Sequence, residues 1–121
     1  MSAAWLYLTV ANREEAETIG RTLVEERLAA CANVFGAIRS FYRWEGVLCE
    51  DDETALVVKT RCDLVRAVVA RTKELHSYSC PCVVALPITD GNPEFLSWIE
   101  QETRHKPPGA RAEQAMPDPD G

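Results

Sequence analysis

Two thiols and an imidazole stand close together along the chain: His76, Cys80 and Cys82, with Pro81 between the cysteines. In an extended segment residues i and i+2 point to the same side, so the two sulfurs can converge. Pro81 fixes the backbone between them. Two thiolates with a nearby imidazole suit soft or borderline ions such as Cu(I) or Zn(II). The plain alternative is a pair of half-buried thiols where a strand begins, because the spacing lacks the longer loop of common zinc knuckles. His76 also has an ordinary role open to it: at a helix C-terminus the dipole favours an imidazolium, which caps the last turn. The rival from another class is a thiol enzyme or redox switch using Cys80 or Cys82, but no orienting group for a Cys–His pair can be named. There is no Gly-rich phosphate loop, nucleophile elbow or HExxH stretch. Binding is therefore expected rather than catalysis, with no obligatory cofactor and copper or zinc as the candidate ions.

The remaining composition narrows the setting. A chain of 121 residues fits one domain with one core. Its net charge of −6, from 19 acidic against 13 basic side chains, repels phosphate backbones, and the basic residues form no dense patch. Nucleic acid is not an expected partner. The apolar stretches are too short to span a bilayer, and Trp5 to Val10 follows no basic segment as a signal peptide would. Five cysteines, an odd number, argue against a disulfide framework. A cytoplasmic protein with free thiols is expected, Cys31 among them as a buried structural thiol or, less simply, a metal ligand.

These residues need a scaffold. Residues 4–11 alternate as a strand, with Leu6, Leu8 and Val10 on one side and Trp5, Tyr7 and Thr9 on the other. Asn12 with Glu15 is a helix start signal, and Ile19, Leu23, Val24 and Leu28 recur at helical spacing, which predicts a helix ending near Ala30. Cys31 to Trp44 reads as one arm of a hairpin with a bulge at Gly36. Glu45-Gly46 is its turn, and a second arm runs to Thr60. The acidic run Glu50 to Glu53 is expected in solvent or facing a cation, as a solvated loop. Thr60 with Asp63 repeats the capping pattern, and Leu64, Val65, Val68, Val69, Thr72 and Leu75 carry a second helix to about His76. Val83 to Ile88 is a strand that Pro87 confines to an edge. Asp90 to Pro93 is a turn leading into a last helix with Phe95, Leu96, Trp98 and Ile99 apolar. Residues 1–103 make the domain, and the Pro-rich stretch 104–121 reads as a disordered tail.

The order β-α-β-β-α-β with an added helix is an α+β, ferredoxin-like arrangement. Two main helices cover one face of a four-stranded sheet. Leu6 and Leu8 are backed by Trp5 and Tyr7, and Val84 and Leu86 by Val83 and Ala85. The second face is therefore apolar too and calls for burial in a closed symmetric oligomer. The alternative is partial cover by the last helix.

Five segments, in order, resemble the CutA family of divalent-cation tolerance proteins. They are Val24 to Asn33, Tyr42 to Gly46, Lys59-Thr60-Arg61, Leu75 to Tyr78, and Ala85 to Ile88 continuing to Gly91-Asn92-Pro93. The resemblance spans residues 5 to about 103. It implies a tight homotrimer with helices outside and sheets toward the threefold axis, similar in architecture to the PII regulators that bind small ligands between subunits. It also implies a part in tolerance to copper and other divalent cations. One departure stands out. The family usually reads Leu-His-Pro-Tyr-Glu, then an apolar residue, Pro and Glu, whereas this chain has Ser79 and Cys82 where the carboxylates fall. A softer site in place of a hard-ligand one is the expectation.

On such a trimer a neighbour's ligands would complete a metal shell begun by His76, Cys80, Cys82 and Cys31. Lys59 and Arg27 would present cations to an anionic ligand in an intersubunit cleft, with Tyr78 from the shared motif beside them. Their ordinary alternative is ion pairing with acids such as Glu53. Phe41, Tyr42 and Trp44 near the hairpin tip suit a trimer contact better than ligand stacking, and Trp5 and Tyr7 belong to the same expected interface. A structural adaptor, presenting surfaces or its tail to another protein, is the remaining alternative.

Overall fold

The computed structural model describes residues 2–104. The elements are β1 (Ala3–Val10), α1 (Arg13–Glu25), β2 (Cys31–Trp44), β3 (Val47–Arg61), a short 3-10 turn (Cys62–Leu64), α2 (Val65–Leu75), β4 (Cys82–Ile88) and α3 (Pro93–Gln101). They form one four-stranded sheet in the order β2-β3-β1-β4, every neighbouring pair antiparallel. This is the expected ferredoxin-like α+β fold.

Leu6, Leu8 and Val10 of β1 and Leu56 and Val58 of β3 face the two main helices. There they meet Ala16, Ile19 and Leu23 of α1 and Leu64 and Val68 at α2, all without measurable exposure. Burying each such aliphatic side chain stabilises the fold by about 1.5–3 kcal/mol. Close approach of α1 to the sheet depends on Gly20, where a Cβ would stand 3.1 Å from the Ala32 Cβ.

Helix α1 starts as its sequence predicts: Asn12 Oδ1 accepts from Glu15 N at 2.9 Å, and Glu15 Oε1 accepts from Ala11 N at 3.1 Å. Its end comes earlier than the expected Ala30. Arg27 takes a left-handed conformation (φ 62°). Its N–H donates to Val24 O, and Leu28 N–H donates to Leu23 O, which closes a Schellman motif without glycine. Leu28 keeps helical spacing in sequence, but it is the residue after the left-handed one and turns back into the core.

The Thr60–Asp63 cap does not form. Thr60 lies inside β3 and its hydroxyl donates to Leu28 O at 2.7 Å, while Asp63 accepts from Arg61 at 2.6 Å. The 3-10 turn precedes α2 instead, and no side chain caps that helix.

The β2–β3 hairpin turns at Glu45 and Gly46, both with positive φ (51° and 81°), the geometry a two-residue turn needs to match strand twist. Its register slips between Val34 and Ala37, at the bulge expected around Gly36. The acidic run is not a loop. Glu50 to Glu53 are ladder residues of β3, paired with Phe41, Ser40, Arg39 and Ile38. Helix α3 packs Ile99 against Ala3 and Ala30, covering one end of the second sheet face. Trp5 and Tyr7 stack there at 6.5 Å, and Val84 and Leu86 beside them stay more than half exposed. Arg104, assigned from sequence to the tail, is fastened instead: its Nε donates to Glu26 O and its backbone N to Arg27 O. The rest of the expected tail, 105–121, lies outside the described residues.

Candidate functional site

A cleft of about 520 Å³ opens on the sheet face that α1 and α2 leave bare. Thr9 of β1 and Cys82 of β4, partners in register, contribute to its lining. The hairpin supplies Ser40, Phe41, Tyr42, Trp44, Cys49 and Glu53, and the connection after α2 supplies Tyr78, Ser79 and Cys80.

That connection is held from below. His76 is buried, and its Nε2–H donates to Thr9 O at 2.9 Å while Nδ1 accepts from Tyr78 N at 3.1 Å. Glu15 then reaches over from α1, accepting from Ser77 N at 2.6 Å and from Ser77 Oγ at 3.1 Å. With 76–78 pinned, Tyr78 packs tilted against the His76 ring and donates its hydroxyl to Glu53 Oε2 at 2.9 Å. Glu53 is only 8% exposed. On the hairpin, Tyr42 donates its hydroxyl to Asp51.

Among the described residues no lysine, arginine or histidine lines the cleft. Its phenols are held un-ionised: the hydrogen bond to Asp51 pushes Tyr42 up to about 12, and burial with the Glu53 hydrogen bond raises Tyr78 further. On the hairpin, the Arg39 guanidinium is engaged by Asp52 and Glu50 at 3.1 and 3.2 Å.

The structure thus gathers Phe41, Tyr42, Trp44, Tyr78, Cys80 and Cys82 around one cleft. The other candidates lie elsewhere. His76 sits beneath the connection with Nε2 on Thr9 O, Nδ1 on Tyr78 N and Glu15 Oε2 3.6 Å from Nδ1, so its ring bridges strand and loop. Cys31 pairs with Lys59 in the ladder at the β2 edge, opposite the edge that carries Cys82. Burial pushes its thiol up, which favours a structural thiol over a thiolate ligand.

Lys59 donates to Asn33 at 3.0 Å and lies 5.8 Å from the Phe95 ring centre, not against Glu53. Arg27 joins α1 to α3 through Gln101 O at 3.2 Å and Glu102 at 3.7 Å. Neither faces the cleft. Trp5 and Tyr7 remain on the open sheet face.

Cys49 and Glu53 are the cleft residues that sequence reasoning passed over. Glu53 alternates with Ala55 and Val57 along β3, and Cys49 with Asp51 and Glu53, so strand periodicity carried the signal. The donors Cys49, Cys80 and Cys82 have the chemistry of a soft-ion site. Among the described residues of one chain, however, no group of three His, Cys, Asp or Glu stands close enough to hold an ion. No helix among them is long and apolar enough to cross a membrane.

Comparison with known proteins agrees with this fold. Residues 4–102 match the family described as CutA1 divalent ion tolerance protein. The Divalent-cation tolerance protein CutA of Thermus thermophilus is 47% identical over 96 residues, 79% of this chain and 93% of that one. Protein CutA, chloroplastic, of Arabidopsis thaliana is 40% identical over 83% of this chain and 55% of its own length. The solved Periplasmic divalent cation tolerance protein CutA from Archaeoglobus fulgidus superposes with a TM-score of 0.80 at 43% identity, covering 83% of this chain and 97% of that one. With its four-stranded sheet, its motifs and nearly all of its described length matched, the chain belongs to the CutA1 divalent ion tolerance family.

Proposed function

We propose that the chain works as one subunit of a homotrimer that takes up cations, copper foremost, at clefts between subunits, and so serves tolerance to divalent cations. One observation supports this above others: Cys49, Cys80 and Cys82 line a single cleft that has no basic side chain among the described residues and opens on the uncovered apolar sheet face. The described residues of one chain do not form a complete metal centre, so donors from a neighbouring subunit complete the shell. The names of the relatives, divalent-cation tolerance proteins, point the same way.

The output is binding rather than catalysis. Both His76 nitrogens are spent on backbone groups, which leaves Cys80 and Cys82 without an adjacent base. Occupancy of intersubunit clefts would also let the trimer signal, as PII-type trimers do. Five unpaired thiols suit a reducing compartment such as the cytoplasm.

Native mass spectrometry of the reduced chain, titrated with Cu(I) and then Zn(II), tests this. The expected species is a trimer carrying one ion per subunit, and the paired substitution Cys80→Ser with Cys82→Ser abolishes uptake while leaving the trimer intact. A monomer, or uptake unchanged in the double variant, refutes it.

A further inference from the structure

The hydrogen bonds of Glu15 exceed what its helix needs. With Asn12 it makes a whole capping box: Asn12 Oδ1 accepts from Glu15 N at 2.9 Å, and Glu15 Oε1 accepts from Ala11 N at 3.1 Å. The carboxylate then goes further. Its Oε2 accepts from Ser77 N at 2.6 Å and lies 3.6 Å from His76 Nδ1, and Oε1 accepts from Ser77 Oγ at 3.1 Å. One side chain, 13% exposed, thus ties the end of β1 and the start of α1 to the connection after α2, 62 positions along the chain.

We propose that Glu15 is a positioning residue for cation uptake: by clamping Ser77 it fixes where the connection presents Cys80 and Cys82. The proposal rests on the reading of the cleft as a cation site and adds to it the residue on which its affinity depends.

The connection 76–81 has neither helix nor strand of its own. Where Cys80 stands, just beyond Tyr78, therefore follows from what holds 76–78. His76 fastens these residues to β1, and Glu15 fastens them to α1. Hydrogen bonds to a carboxylate are roughly twice as strong as neutral ones. This carboxylate also stands on a firm base, because Ala16 and Ile19 seat the same stretch of α1 in the core without measurable exposure. A metal site needs its donors placed to within about 0.2 Å, which requires that the groups behind them be held too. Helix α1 lies on the closed face of the sheet, so the clamp is made within one subunit whatever covers the other face.

The size of the effect follows from populations. An unclamped connection that keeps the binding-competent arrangement about a tenth of the time weakens apparent affinity about tenfold, with the number of ions per chain unchanged.

Two variants divide the capping box and so separate positioning from plain helix stability. Asn12→Ala removes one half of the box and leaves the clamp on Ser77, whereas Glu15→Ala removes the other half and the clamp together. Both should lower the thermal midpoint. Only Glu15→Ala should speed amide hydrogen exchange over 76–82 in the reduced, chelator-treated full chain, by about tenfold or more. Only Glu15→Ala should weaken Cu(I) binding about tenfold, read by competition with a chromophoric chelator. Should the alanine variant lose its native circular dichroism, Glu15→Gln repeats the test with the side chain's bulk kept, since an amide cannot accept from all three donors.

Parental exchange over 76–82 in the Glu15 variant would overturn the inference. Faster exchange with parental copper affinity would also refute it, and it alone, leaving the cation site in place. Equal loss of affinity in Asn12→Ala would reduce the effect to fraying of α1. A parent chain that takes up no copper would refute the cation site itself, and this inference with it.

Discussion

His76 organises the cleft without lining it. Its ring joins β1 to the connection before β4, between Thr9 O and Tyr78 N, and sets Tyr78 within reach of Glu53. Truncation to alanine strands a part-buried carbonyl and a part-buried amide and leaves a cavity where the buried ring stood. His76→Ala should therefore lower stability by about 2–4 kcal/mol, read as a fall in the urea midpoint without change of slope. An unchanged midpoint would mean that water replaces the ring. The residue's type and place in sequence suggest a helix cap or a ligand, because the partner that decides its role, Thr9 O, lies 67 positions away. Cys80 and Cys82 are legible as a pair because their i, i+2 spacing is local information. Glu53 is harder to read: its run of acids reads as a solvated loop unless the alternation of Ala55 and Val57 is carried back into it, and the pairing of β3 with β2 shows that alternate members of the run face opposite sides of the sheet.

Elements with strong local signals are readable from the chain, and their ends are not. Period-two alternation places β1, the run Ala55 to Thr60 after the Glu45-Gly46 turn places β3, and Asn12 with Glu15 starts α1. The end of α1 depends on Arg27 entering a conformation that glycine usually takes, so no residue announces it. The Thr60–Asp63 pattern misleads for a complementary reason, since capping needs a free helix end and Thr60 is a ladder residue of β3. At the end of α1, Glu26 is gripped by the Arg71 guanidinium of α2, whose Nε and Nη2 stand 3.0 and 2.9 Å from its oxygens. That hydrogen bond, ahead of the burial that opposes it, holds the Glu26 carboxyl below the usual glutamate range. A depressed carboxyl contributes stability that is present above its unfolded value, about 4.3, and is lost as pH falls through the folded one. Glu26→Gln should thus cost about 1 kcal/mol or less at neutral pH, the pair being partly exposed. The gap between parent and variant should narrow as the pH falls below the unfolded value, and urea unfolding at neutral and acid pH checks it. A gap that persists in acid would locate the effect in packing rather than charge.

At the scale of the whole molecule the two sheet faces differ in kind. One is closed by α1 and α2. The other is closed only at the Ala3 end, where Ile99 of α3 sits, and leaves Val84 and Leu86 over half exposed beside the stacked Trp5 and Tyr7. An apolar surface this continuous is costly in water and is what a closed symmetric assembly removes. Because Val84 and Leu86 do not support the core of the single subunit, charges placed there test assembly without unfolding the chain. The double variant Val84→Glu with Leu86→Glu should keep its circular dichroism spectrum while its mass by sedimentation falls from the three chains of the proposed homotrimer to the 13.5 kDa of one. A variant that stays trimeric would clear this face of any part in assembly. The cleft opens on the same face, so its chemistry and the subunit contact are coupled: if neighbouring donors complete the metal shell, the monomeric variant loses Cu(I) uptake although Cys49, Cys80 and Cys82 are all in place.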